Sequence, residues 1–232
     1  MPRGPRRTSR MSSRSEVVEM NSSRWPVHPL GSIVETLFVG LPVSRYQPKE
    51  REPFIEEPVL SVGDIEAGRL VSRQELKSVP LRPERLDRFR TKVDDLLVAC
   101  RGTLLKAARV PKEAASLLAS SNLIVVRSSD QIHPAILLAL LRGPEWQERL
   151  HLRSRSSTGL MQLTAKDLED LPVPVPPMPV QMELVALMEA EAEHFQSALQ
   201  AAELRRSLTQ RLVLDVLSPS SGHEVTYAGE HD

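Results

Sequence analysis

The chain has 232 residues, 41% of them hydrophobic, with 30 basic and 30 acidic side chains. That is enough for one fair-sized domain, or a domain with an appendage, and the zero net charge carries no overall signal for nucleic acid. No apolar run approaches the ~18 to 20 residues that cross a bilayer, which predicts a soluble protein, and the single cysteine excludes an internal disulfide or a cysteine-based metal site.

Residues 1 to 24, "MPRGPRRTSRMSSRSEVVEMNSSR", hold six arginines, two glutamates and almost nothing apolar. This composition predicts a disordered basic arm, superficially like an organelle-targeting peptide, in which Met11 and Met20 each offer a later start. A secretory signal is not expected, because no apolar stretch follows the arginines. The remaining residues hold 24 basic and 28 acidic side chains and are mildly acidic.

From Trp25 to about Leu163 the pattern is short-period. "VHPLGSIVETLFVG", "EPVLSVGDI", "DDLLVAC" and "SSNLIVVRS" are apolar or β-branched runs bounded by turn residues, the signature of strands. "RPERLDRFR", "KEAASLLA" and "HPAILLALLRGPEWQERLH" read as helical pieces. Pro134 suits a first helical turn, and Gly143-Pro144 punctuates. In "TAKDLEDL", Thr164 caps a short helix with Asp167 three residues on. Strands and helices interleave without a βα rhythm, which predicts an α+β domain over residues 25–171. Cys100, inside an apolar run, reads as a buried, inert thiol.

Residues 172–180 contain five prolines, at 172, 174, 176, 177 and 179. Proline lacks the amide hydrogen and fixes φ, so this segment is neither helix interior nor central strand; a stiff polyproline or edge-strand connector is expected. From Gln181 to Leu217 there is no Gly or Pro, and strong helix formers dominate. Leu184, Met188, Phe195, Leu199, Leu212 and Val216 recur at helical spacing and form the expected interface of a long amphipathic helix. Periodicity alone leaves two covers for that stripe, the helix's own domain or another long helix. Residues 218–232 read as a disordered tail.

Catalytic and metal motifs are missing. There is no phosphate-binding glycine loop, no G-x-G-x-x-G and no G-x-S-x-G. Pro176-Pro177 is preceded by Val175 and followed by Met178, so the Asp/Asn-Pro-Pro-aromatic motif of DNA amino-methyltransferases is absent. Asp64 and Glu66 lack the lysine of a metal-dependent nuclease, and the six histidines have no ligand spacing. No catalytic residue, metal or cofactor is expected. Residues 82–112 hold nine basic against four acidic residues, and Arg142, Arg149, Arg153 and Arg155 follow. Such clusters are either solvated faces or phosphate contacts. With 3% aromatic residues, base stacking is disfavoured, so duplex DNA is the nucleic acid that fits.

The collinear order of "WPVHPLGSIVETLFVG", "VDDLLVACRGTLLKAARVP", "SSNLIVVRS", "IHPAILLALLRG" and "SSTGLMQLTAKDLEDLPVPVPPMPVQ" running into a helix resembles the DNA specificity (S) subunits of type I restriction-modification systems. The resemblance covers residues 25 to about 217. It implies a target recognition domain followed by a long helix forming a coiled coil, in a host-defence system where the S subunit positions separate methyltransferase (M) and restriction (R) subunits on double-stranded DNA. The family repeats this plan twice; here one copy is visible. The resemblance therefore implies a half-subunit, pairing with itself or with another half-subunit, and for a two-fold pair an interrupted palindrome as target. Candidate DNA contacts are Arg45, Tyr46, Arg101, Lys106, Arg153, Arg155, Ser156 and Thr158; Trp25, Asp95 and Gly102 read as structural. The competing expectation is an interaction scaffold or assembly regulator built on a degenerate recognition domain.

Overall fold

In the computed structural model, residues 24–102, 105–154 and 161–217 are described. The expected arm and tail, together with Arg155, Ser156 and Thr158, lie outside the described residues. The chain divides into two compact units at Met178/Pro179.

The first unit opens with β1 (Val27–Pro29), one helical turn α1 (Leu30–Ile33) and β2 (Val34–Val39). Leu30 and Ile33 are both buried, so a run that reads as continuous strand takes one helical turn to bring two apolar side chains to the same side. A second single turn, α2 (Val43–Tyr46), precedes β3 (Ile55–Leu60). The hairpin β4 (Ile65–Glu66) and β5 (Arg69–Leu70) turns through Ala67 and Gly68 at φ 47° and 78°, the left-handed pair that a tight hairpin turn requires. Then come β6 (Ser78–Leu81), β7 (Leu96–Ala99), β8 (Arg101–Gly102), β9 (Ala107–Arg109), β10 (Leu118–Ala119) and β11 (Leu123–Ser128). The remaining elements are α3 (Pro134–Arg142), α4 (Pro144–Arg153), β12 (Met161–Gln162), α5 (Ala165–Glu169), β13 (Pro172–Pro174) and α6 (Met178–Leu217).

An antiparallel sheet ordered β2-β11-β7-β9 forms the centre. Its strands β7 and β11 are continuous apolar runs because both faces are covered. Leu96, Val98, Ile124 and Val126 meet Leu30, Ile33, Leu137, Trp146 and Leu168 on one side. Leu97, Leu123 and Val125 meet Leu60, Ile65 and Leu117 on the other. A second sheet, β10-β3-β6, covers a smaller cluster of Leu41, Val59, Leu81, Leu86, Phe89 and Leu118. Strands and helices mix as expected of an α+β domain.

Helix signals operate where a side chain caps the first turn. His133 Nδ1 accepts from the Ala135 amide ahead of Pro134, and Thr164 with Asp167 forms a reciprocal capping box on α5. By contrast, "RPERLDRFR" and "KEAASLLA" are not helices: each holds only a three-residue 3-10 turn, Asp87–Phe89 and Lys112–Ala114. Arg85 and Ser116 have φ 59° and 66°, left-handed conformations that no α-helix continues through.

The proline segment divides between elements. Pro172–Pro174 pairs antiparallel with β1, His28 opposite Val173. Val175 donates its amide to Pro26 O at 2.8 Å and Leu30 donates to Leu171 O at 2.8 Å. The odd-numbered residues thus face β1, and Pro172 and Pro174 turn their missing donors away, as prolines at a sheet edge do. The helix begins at Met178 rather than Gln181, with Pro179 tolerated in its first turn where no amide partner exists. Of the expected connector, only residues 175–177 lie between elements.

The second unit's described part is α6, 40 residues and about 60 Å at 1.5 Å per residue. Leu184, Phe195, Leu199, Leu212 and Val216 are exposed, from 40% at Leu184 to 81% at Val216, and Met188 is half-buried. Among the described residues, no helix is long and apolar enough to cross a membrane.

Candidate nucleic-acid interface

Several connections leave the central sheet at one end. β2 exits at Gly40, whose amide donates to Leu123 O at 3.0 Å; Leu41 donates to Ala119 O at 2.6 Å and Ser121 to Leu41 O at 2.8 Å. β7 exits at Cys100, which donates to Asn122 O at 2.9 Å, and Leu163 donates to Cys100 O at 2.9 Å. The order β2-β11-β7 sets Leu41 and Cys100 two strands apart, about 10 Å at the usual strand spacing. Glycine is required at 40 by close approach: a Cβ there would lie 2.3 Å from both Ala119 O and Ser120 O.

Arg45 and Tyr46 follow Gly40 in α2, a turn with no side-chain cap. Arg45 is exposed, and no hydrogen bond or ion pair engages its guanidinium among the described residues. Tyr46 is half-buried and packs on the small cluster. Its ring meets Phe89 edge-on at 5.9 Å, and its hydroxyl accepts from Arg88 Nη2 at 3.0 Å. Arg101 is exposed in β8, opposite Gln162. Gly102 beside it has φ 146°, in the region that favours glycine.

The other candidates are engaged elsewhere. Lys106 starts from the same sheet end, but its ammonium donates to Ile65 O at 2.8 Å and Val62 O at 3.3 Å, holding the β4–β5 hairpin. Arg153 Nη1 donates to Asp170 O at 3.1 Å. Asp170 lines a depression of about 380 Å³ at the start of β2, with Glu35, Lys166 and Glu169. Lys166 there donates to Asp170 at 2.7 Å, which raises the ammonium's pKa, and lies 3.8 Å from Glu169. Three carboxylates against one engaged lysine make this depression unsuited to phosphate.

Much of the basic run 82–112 is structural too. Arg90 donates to Glu57 at 2.8 Å, which raises its pKa, and Arg109 donates to Asp94 at 2.6 Å. Arg142 covers the β4–β5 turn: a Cβ on Gly68 would lie 2.4 Å from its guanidinium carbon. Sequence reasoning missed Arg82, brought beside α2 only by the β3–β6 register. No group of His, Cys, Asp and Glu side chains among the described residues could hold a metal ion.

Residues 23–197 match the type I restriction modification DNA specificity domain. The chain belongs to that family. The HsdS subunit from Thermoanaerobacter tengcongensis is a similar solved structure, with a TM-score of 0.59 at 20% identity over 88% of this chain and 51% of that one. A chain from work on complex assembly and conformational transition of the type I R-M system gives 0.54 at 17% identity, over 81% and 43%. The chain thus spans about half the length of these structures, and the likeness is one of fold. No curated protein matches the sequence. Among the described candidates, Arg45 and Arg101 are exposed residues on connections that leave this sheet end.

Proposed function

We propose that the chain is a non-catalytic specificity subunit, acting in the cytoplasm, that binds duplex DNA through the sheet end carrying Arg45 and Arg101. The observation that carries this reading is the division of labour among cations. Lys106, Arg90, Arg109 and Arg127 are engaged by backbone carbonyls or carboxylates, whereas Arg45 and Arg101 are exposed. Exposed arginine forks suit phosphate oxygens and the guanine edge in the major groove. The apolar stripe on α6 would pair with a like helix, from a second copy or another half-subunit, and dock the methyltransferase and through it the restriction subunit. A two-fold pair would read an interrupted palindrome. The test is retention of duplexes from a random-sequence library by the chain with its methyltransferase subunit. Enrichment of a two-part motif supports the reading.

A second reading, a scaffold or assembly regulator without sequence preference, draws on the exposed side chains of α6, which need no DNA to act. Complex formation with no enriched motif would favour it.

A further inference from the structure

The turn carrying Arg45 does not hold itself. α2 is four residues long and lacks a side-chain cap, and a single helical turn has no cooperative stability of its own. Support comes from the end of β6. Ile55 pairs with Leu81 at the end of the second sheet, and Arg82, the next residue after β6, turns back over α2. Its amide donates to Tyr46 O at 2.9 Å and its Nη2 to Arg45 O at 2.5 Å. The guanidinium carbon lies 6.0 Å from the Tyr46 ring centroid. Its Nε is buried without a hydrogen bond, 3.8 Å from Glu52 Oε2, a carboxylate anchored by the Lys49 amide at 2.9 Å. Arg88 fastens the Tyr46 hydroxyl from the same segment. Two arginines thus grip backbone and hydroxyl of one turn, and the neighbouring Arg45 side chain is left exposed.

We propose that Arg82 is a positioning residue that fixes the Arg45–Tyr46 turn and so aims Arg45 at a guanine edge, with Tyr46 a strut rather than a DNA contact. This rests on the reading of the sheet end as the DNA interface. An arginine reads guanine through two parallel hydrogen bonds to O6 and N7, a geometry that a swinging turn would not hold. Arg82, gripping main-chain oxygens of α2, sets that turn's orientation without reaching DNA.

The test uses the full chain with its methyltransferase subunit, selected against a random-sequence duplex library at two salt concentrations. The variants are Arg45→Gln, Arg82→Gln, the double variant and Tyr46→Phe. Arg45→Gln is expected to lower preference for guanine at one position by about 5- to 150-fold. Arg82→Gln relaxes that same position by roughly tenfold, with an unchanged salt slope, and the double variant is no worse than Arg45→Gln alone. Tyr46→Phe keeps the ring and loses the Arg88 bond, giving a smaller loss at the same position. Uniform weakening at every position by Arg82→Gln, with a salt slope shallower by about 0.9, marks a phosphate contact and overturns the proposal. So does a lowered melting temperature with an unchanged profile in the folded fraction. If Arg82→Gln has no effect while Arg45→Gln does, the positioning role alone falls. If Arg45→Gln leaves the profile intact, the placement of the interface falls first.

Discussion

Arg127 donates Nε and Nη2 to the two carboxylate oxygens of Asp95, both at 2.8 Å. Asp95 is 1% exposed and also accepts the Lys92 amide at 2.7 Å, so one carboxylate ties β11 to the turn that launches β7. The guanidinium's pKa is raised by this hydrogen bond. Asp95→Ala leaves a half-buried cation unmatched and is expected to cost about 3 kcal/mol of stability, the lower end for a buried pair. Urea unfolding midpoints measure this, and a loss under 1 kcal/mol would contradict it.

Gly40→Ala drives a methyl group into two backbone oxygens that no rotamer change relieves. Overpacking of this kind costs typically about 1 to 3 kcal/mol. Because the same exit carries Arg45, DNA affinity is expected to fall together with thermal stability, whereas Arg45→Ala lowers affinity alone. Melting and binding curves on both variants separate the two.

Arg101 and Lys106 are five residues apart yet predict opposite behaviour. Arg101→Ala is expected to weaken DNA binding with the salt slope reduced by roughly 1, and to leave the melting temperature unchanged. Lys106→Ala removes both donors from the Val62 and Ile65 carbonyls and shows mainly as lost stability, about 1 to 3 kcal/mol. Salt-dependent binding titrations that reversed this order would refute the assignment.

On α6, Leu199→Glu with Phe195→Glu places charge on the exposed stripe. A paired helix would lose its partner, and light scattering at micromolar concentration is expected to show the mass halved. The melting transition of the first unit is expected to stay where it was.

The Cys100 thiol, 5% exposed, has its pKa pushed up by burial. A group raised on folding contributes stability that is complete below its unfolded pKa, about 8.5 for a thiol, and that is lost as pH rises through the folded value. Iodoacetamide should therefore label native protein slowly at pH 8 and rapidly once urea unfolds it. Alkaline destabilisation should be smaller in Cys100→Ala.

What could be read in advance follows physical range. β11 was legible because "LIVV" between turn residues has few other ways to be buried, and α6 because strong helix formers run without Gly or Pro over more than thirty positions. The family order of short motifs was legible for the same reason: each is local. "KEAASLLA" misled because its composition favours helix while Leu117 and Leu118 are needed inside, and a left-handed Ser116 turns the chain to put them there. The engagement of Lys106 by carbonyls more than forty residues away in sequence, and the grip of Arg82 on Arg45, are contacts between distant segments. No window of sequence contains both ends of either one.

β1 and β13 lie alongside each other, Val27 opposite Pro174, so the strand that admits the chain to the first unit touches the one that releases it. A polypeptide whose entrance and exit share a doorway can be exchanged as a cassette, between residues 26 and 175, by another module with the same paired doorposts. Diversification by wholesale exchange, rather than by one substitution at a time, is thereby open to this architecture.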